Sequence, residues 1–268
     1  MKKVVLITGA SSGIGQAIAQ HLHTEGMIVY GTSRRPKNTR ENGIHMVALE
    51  VTDVESIRAA VTTIINEQGR LDVLVNNAGM GITGPIEETP TDEIRNVFET
   101  NFFGAIEVMK AVLPSMRSQK AGLIINITSI AGYMGLPFRG VYSATKGALA
   151  LISEATKMEV KGMGIEVCTV APGDFATNIA AGRYHSPVVK GSDYETNYTS
   201  NLELMNAHVD GGLSPLVMAK AVGKIIKQGK PKTHYKIADP MQKFSIVLKR
   251  ILPDLWYQKL LMKHFKMK

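Results

Sequence analysis

Val4–Ile7 is a run of four apolar residues, three of them β-branched. It leads directly into the glycine-rich stretch Thr8-Gly9-Ala10-Ser11-Ser12-Gly13-Ile14-Gly15, and a helical pattern follows over Ile14–Thr24. A strand with no polar alternation must be covered on both faces, which points to a parallel sheet with helices on either side. The rest of the chain repeats this alternation. Strand patterns fall at Ile28–Gly31, His45–Leu49, Val73–Val75, Leu123–Ile127, Ile165–Val170 and Tyr235–Ala238. Helical patterns fall at Val54–Gln68, Thr91–Arg117, Val141–Lys161 and Pro215–Gln228. The expected fold class is α/β: a doubly wound parallel sheet in a three-layer, Rossmann-type sandwich, formed as a single domain. The one long stretch without a strong pattern, 174–212, follows a strand end and reads as a lid over a ligand site.

The glycine stretch has a physical purpose at this place. Glycines allow a tight turn and a close approach of backbone N–H groups to a ligand. The helix that follows offers unpaired donors and the positive end of its dipole to a pyrophosphate. The spacing is GxxxGxG rather than the commoner GxGxxG.

With this turn the sequence resembles the short-chain dehydrogenase/reductase family. The resemblance continues through Asn76-Asn77-Ala78-Gly79, Asn101 within Thr100–Gly104, Ser129, Tyr142-Ser143-Ala144-Thr145-Lys146 and Pro172-Gly173, in the family's order over residues 3–180. It is similar to the single-domain branch, and within it to hydroxysteroid-dehydrogenase-like oxidoreductases. The resemblance implies that Gly9, Ser11, Ser12, Gly13, Ile14 and Gly15 hold a nicotinamide dinucleotide. Asn77, Ala78 and Gly79 would support its ribose, and Pro172, Gly173 and Thr177 its carboxamide. Glu50 and Val51 stand where the family has Asp-Val beside adenine, with a side chain one methylene longer.

Rossmann proteins that use NAD place an acid at the end of the second strand, on the ribose 2′-hydroxyl. Here that end reads Ser33-Arg34-Arg35. A carboxylate would repel a 2′-phosphate, whereas a small hydroxyl makes room and an arginine supplies charge and paired donors. NADP(H) is therefore expected over NAD(H).

Tyr142 and Lys146 are four apart in a helical pattern and project from one face. A nearby ammonium favours a phenolate, which suits a tyrosine to proton transfer. By the resemblance, Lys146 also binds the nicotinamide ribose, and Ser129, at the end of the fifth strand, orients the substrate oxygen. Asn101 would bend its helix and hold a water in a proton relay. The expected reaction moves a hydride between nicotinamide C4 and a carbonyl or secondary alcohol, with Asn101, Ser129, Tyr142 and Lys146 as the catalytic set. Met80, Met134, Leu136, Pro137, Phe138 and Phe175 either line a pocket for a hydrophobic substrate, steroid-like, retinoid-like or a fatty chain, or pack into the core. Arg139 and Arg183 read as solvated surface cations, the alternative being a grip on an acidic substrate group.

The net charge of +8 is unevenly spread. Residues 1–219 sum to −3 and residues 220–268 to +11, so a whole-domain nucleic-acid footprint is excluded. Residues 1–240 are expected to form the catalytic domain and 241–268 a basic amphipathic helical extension, broken at Pro253. That extension packs on the domain, on a partner subunit or on an anionic membrane. The single cysteine, Cys168, reads as a core residue and excludes an intramolecular disulfide framework, and no metal site is expected. No secretory signal is expected, since Val4–Ile7 is too short, and no stretch approaches the ~20 apolar residues of a membrane span. The expected location is cytoplasmic. The resemblance implies a homodimer or tetramer joined through the fourth and fifth helices. A dinucleotide-binding regulator without catalysis is the competing reading, and the intact tetrad opposes it.

Overall fold

The computed structural model describes residues 1–176 and 182–267, with the backbone alone for 206–210. The strands are β1 (Val4–Ile7), β2 (Ile28–Ser33), β3 (Arg40–Glu41), β4 (Ile44–Ala48), β5 (Val73–Asn76), β6 (Ile82–Thr83), β7 (Gly122–Ile127), β8 (Ile165–Pro172), β9 (Tyr184–His185) and β10 (His234–Ile237). The helices are α1 (Gly13–Thr24), α2 (Val54–Gln68), α3 (Thr91–Phe98), α4 (Gly104–Gln119), α5 (Gly140–Glu159), α6 (Glu195–Asp210), α7 (Pro215–Gln228), α8 (Pro240–Ile251) and α9 (Asp254–His264).

Among the described residues, eight strands form one sheet in the order β10-β8-β7-β5-β1-β2-β4-β3, parallel except for the short edge strand β3. One face is covered by α1 and α7, through Ile18, Leu22, Met218, Val222 and Ile226. The other is covered by α2 and α4, through Ile57, Ile64, Val108, Val112 and Met116. These are the two apolar layers that the non-alternating strands require, and the fold is the expected Rossmann-type sandwich. Helix ends carry local signals. Asp53 caps α2 by accepting from Glu55 and Ser56 N–H at 2.9 and 3.2 Å, and Gly69 ends it at φ +70°. Asp239 caps α8 by accepting from Gln242 N–H at 3.0 Å. The chain breaks at Leu252-Pro253 before α9, as the proline requires.

The chain crosses from one half of the sheet to the other between β1 and β5, so the loops leaving these strands diverge and leave a crevice at the carboxyl edge. Beneath it lies a buried polar chain. Asn76 Nδ2 donates to the Ala105 carbonyl and to Asn126 Oδ1, both at 3.0 Å, and Asn126 Nδ2 donates to Ser153 Oγ at 2.8 Å. It ties β5 and β7 to α4 and α5. Asn126, which fits a glycosylation sequon by spacing, is fully buried in it.

Two elements depart from the sequence reading. The single long helix expected at Thr91–Arg117 is interrupted: Glu99–Phe103 widens into a π turn, in which the Gly104 N–H reaches back five residues to the Glu99 carbonyl. The patternless stretch 174–212 contains a sixteen-residue helix, α6. Its inward side mixes Tyr198, Asn201 and Met205, so no apolar stripe marks it. The ends of this excursion are clasped: Ala176 N–H donates to the Leu213 carbonyl at 3.0 Å and Leu213 N–H to the Asp174 carbonyl at 2.9 Å.

Candidate active site

The glycine turn is held from two sides. Thr8 Oγ1 accepts from the N–H groups of Asn77 and Ala78 at 2.9 and 3.0 Å, while Asn77 Nδ2 donates to the Thr8 and Gly9 carbonyls at 3.0 and 3.1 Å. On the β2 side, the Ala10 N–H donates to the Thr32 carbonyl at 2.8 Å. Gly9 and Gly13 adopt φ of +66° and +56°. A side chain at Gly15 would overlap the Gly9 carbonyl and Asn77 Nδ2. The first turn of α1 is thereby pressed against the loop.

This loop fits a dinucleotide pyrophosphate. Ser12 stands at the head of α1 without capping it, and the first turn of α1 holds no acid. Its leading N–H groups and positive dipole end therefore lack an acidic side chain of their own. Ser33 ends β2, half-buried, with Arg34 and Arg35 exposed beyond it. Glu50 and Val51 follow β4 on the same edge of the sheet. Glu50 Oε1 accepts from Thr52 N–H at 3.4 Å.

The predicted catalytic residues converge beside this edge. Asn101 sits on the π turn, buried. Its Oδ1 accepts from the Met80 N–H and its Nδ2 donates to the Met80 carbonyl, both at 2.8 Å, with Thr145 Oγ1 at 3.2 Å. A Cβ placed on Gly79 would lie 3.0 Å from Asn101 Oδ1 and 3.4 Å from Lys146 Nζ, so both groups flank that residue. Lys146 is buried on α5, donates to the Ile127 carbonyl at 3.0 Å, and places Nζ 5.9 Å from the centre of the Tyr142 ring. Burial pushes its pKa down, and the Tyr142 phenolate pulls it back up. Ser129 leaves β7 and accepts from the Ala131 N–H at 3.1 Å, starting the turn Ile130–Tyr133. Pro172 ends β8, and the Gly173 N–H donates to the Ile237 carbonyl at 2.9 Å. Thr177 lies outside the described residues. Cys168 is fully buried in β8, and burial pushes its thiol up to about 12.

Ser129 and Tyr142 open into a cavity of about 740 Å³, which Ile14, Pro172 and Gly173 border on the glycine-loop side. Met134, Leu136 and Phe175 line it, Met134 and Phe175 packing in apolar clusters as well. Met80 instead packs against Ile82, Val97 and Tyr142, and Pro137 and Phe138 border a separate recess of about 250 Å³.

Three features were not visible from sequence. The far wall of the cavity comes from α8 and α9, through Phe244, Leu248, Tyr257 and Leu261. Gln242 joins α8 to the floor: its Oε1 accepts from Asp174 N–H at 3.3 Å and its Nε2 donates to Asp174 Oδ2 at 2.6 Å. Arg183, read from sequence as a surface cation, lines the cavity with a buried Nη1 that has no hydrogen-bond partner among the described residues. Desolvation and the neighbouring Arg139 both push its pKa down. Arg139 itself stands 5.3 Å from the centre of the Tyr142 ring. Sequence gave no hint of this burial, because the chain on either side of Arg183 carries no periodicity.

A sequence profile described as short chain dehydrogenase matches residues 3–187. The 3-ketodihydrosphingosine reductase of Bacteroides thetaiotaomicron is 42% identical over 253 residues, covering 94% of each chain. The crystal structure of a short-chain dehydrogenase from Streptomyces avermitilis superposes with a TM-score of 0.84 at 31% identity, covering 99% of this chain and 97% of that one. The structure of ElxO with NADP bound superposes with a TM-score of 0.74 at 29% identity, covering 91% and 100%. The chain belongs to the short-chain dehydrogenase/reductase family. It is an oxidoreductase that acts on a carbonyl or its alcohol with a nicotinamide cofactor.

The burial of Lys146 sets an expectation for stability. A lysine whose folded pKa is lowered costs stability below that pKa, and the cost fades as pH rises through it toward the ordinary lysine value. Lys146→Met should therefore raise the urea midpoint at neutral pH and shrink the gain at high pH, while abolishing turnover. An unchanged or lowered midpoint at neutral pH would contradict this account.

Proposed function

We propose that the enzyme is an NADPH-dependent reductase of long-chain hydrophobic ketones, which runs in reverse, oxidising the alcohol, when NADP⁺ is in excess. The observation that carries the reading is the shared cavity. Ser129 and Tyr142 border the same space as a wall of Met134, Leu136, Phe244, Leu248 and Leu261. Apolar lining of this extent favours a substrate with substantial apolar surface. The 42% identity to a 3-ketodihydrosphingosine reductase supports a long-chain ketone. Residues 1–240 hold the chemistry in this reading, 174–212 cover it, and 241–268 complete the substrate wall.

When bound, the nicotinamide supplies or takes up a hydride at its C4. Ser129 Oγ donates a hydrogen bond that orients the substrate oxygen. The Tyr142 hydroxyl donates its proton to that oxygen as charge develops there, and takes a proton from the alcohol in the reverse direction. Lys146 holds positive charge beside the Tyr142 ring and reaches the cofactor ribose. Asn101 is assigned the proton-relay position, and its grip on Met80 fixes the loop that carries Gly79. Gly9, Ser11, Ser12, Gly13, Ile14 and Gly15 would hold the pyrophosphate, Glu50 and Val51 the adenine, and Asn77, Ala78 and Gly79 the ribose. Pro172, Gly173 and Thr177 receive the carboxamide. Arg183, whose Nη1 has no partner among the described residues, donates to an oxygen on the substrate close to the reacting carbonyl. The exposed Phe103, Leu151 and Met158 on the α4 and α5 side supply the apolar patch for a dimer or tetramer.

Tyr142→Phe should lower kcat on the order of 10²–10⁴-fold, the usual worth of a general acid, while leaving NADPH fluorescence quenching on binding intact. Near-normal turnover of a ketone panel by that variant would sink the mechanism.

NADPH should be preferred to NADH by at least about tenfold in kcat/KM, equivalent to about 1.4 kcal/mol, and Arg34→Glu should reverse the order. A native preference for NADH removes the 2′-phosphate assignment.

Arg183→Leu should raise KM about tenfold for ketones carrying a hydroxyl or carboxylate next to the carbonyl. Plain alkyl ketones should be unaffected. An equal loss on both classes would assign Arg183 a purely structural role.

A further inference from the structure

The end of the chain shows two faces. Ile246, Tyr257 and Phe265 turn inward and are buried. Ile246 and Tyr257 pack against Met134, and Asn201 on α6 donates to the Phe265 carbonyl at 3.1 Å. The outward face is apolar where a soluble helix pair is normally polar. Phe244, Val247 and Ile251 on α8, and Leu255, Trp256 and Leu260 on α9, are exposed, with Ile251, Leu255 and Trp256 between 67% and 70% accessible. Among the described residues of 241–267, Lys243, Arg250, Lys259, Lys263 and Lys266 are exposed around this stripe. The only acid there, Asp254, is taken by Lys249 at 2.6 Å.

We infer that the α8–α9 face docks on an anionic phospholipid bilayer, and that the substrate cavity opens onto that bilayer. Three observations select this occupant. First, a two-fold contact would set this face against its own copy, basic rim against basic rim, and like charges oppose that. Second, positive charge is concentrated at this end, with +6 over the 28 residues 241–268 against +2 over the other 240. A negative surface therefore attracts this end more strongly than the nearly neutral body, which orients the molecule. Third, Phe244 and Leu260 both line the cavity and belong to the exposed stripe, so the mouth of the cavity lies within the face. Trp256, amphipathic and exposed, suits the headgroup level. An apolar stripe with a basic rim is the pattern of an interfacial helix. The bilayer as the source of substrate rests on the long-chain ketone reading, whereas the docking itself does not.

The chain carries its own probe, since Trp256 is its single tryptophan. The full-length protein is mixed with vesicles of phosphatidylcholine alone, or of phosphatidylcholine with phosphatidylglycerol, and floated on a density gradient. The expected result is flotation with the mixed vesicles only, weakened by added salt, with a blue shift of Trp256 emission. Ile251→Glu/Leu255→Glu, at two exposed positions outside the cavity lining, should lose flotation at least about tenfold. That variant should keep its activity on a short water-soluble ketone. Failure of the native chain to float with either vesicle overturns the inference, as does equal flotation of the double variant. A dimer that the double variant dissociates, without flotation of the native chain, assigns the face to a second copy and also overturns it. Flotation without turnover of any ketone leaves the docking standing and defeats the reductase reading instead.

Discussion

Thr8 and Asn77 form the joint on which the site hangs. β1 and β5 are neighbours in the sheet but lie far apart in sequence, and the loops leaving them run in opposite directions. Without a tie, the crevice between those loops would have no fixed width. The Asn77 amide and the Thr8 hydroxyl close it with four hydrogen bonds between 2.9 and 3.1 Å. The glycine turn is then fixed relative to Gly79, and Gly79 lies between Asn101 and Lys146. One set of contacts thus places the glycine turn, Asn101 and Lys146 in a common frame. The buried Asn76–Asn126–Ser153 chain supports this frame from below.

The substrate side is built from a different part of the chain. It uses the turn after β7, the clasped excursion between β8 and α7, and the last two helices. The turn after β7 and the last two helices meet around Met134, Ile246 and Tyr257, a small apolar cluster separate from the two large layers, whereas Phe175 and Leu213, at the ends of the excursion, pack into one of those layers. Ser129 and Tyr142 border the cavity where these pieces meet the edge of the sheet.

The sheet and its order of elements were readable because buried parallel strands leave a blunt signature: short β-branched runs between helical patterns. The four-residue spacing of Tyr142 and Lys146 was readable for a similar reason, since helix geometry converts spacing into proximity. The resemblance led to a bend at Asn101, but the π turn over Glu99–Phe103 that forms it was not readable, because the partner of Asn101, Met80, lies twenty-one residues away. Helix α6 was hidden by a polar inward side, where Asn201 reaches the Phe265 carbonyl rather than filling an apolar stripe. Arg183 and Gln242 were missed for one reason. Each acts through a non-local neighbour, and single residues without periodicity carry no trace of distant partners. The charge polarity of the chain was plain from the start, but its counterpart, the apolar stripe between the basic residues, needed the bend at Pro253 to be seen as one surface.

Gly173 and Gln242 are bound to each other in a way that reaches beyond this molecule. A methyl group at Gly173 would collide with Gln242 Oε1, and the same amide holds both the backbone and the side chain of Asp174. The turn after β8 and the first turn of α8 are therefore one unit, though they are separated by sixty-eight residues. A tail transplanted from a relative would bring its own shape of substrate wall but would also have to match the recipient's turn. Diversification of substrate range in such a scaffold is consequently paired. Helices at the end of the chain are free to vary only together with the few residues of the turn they lean on.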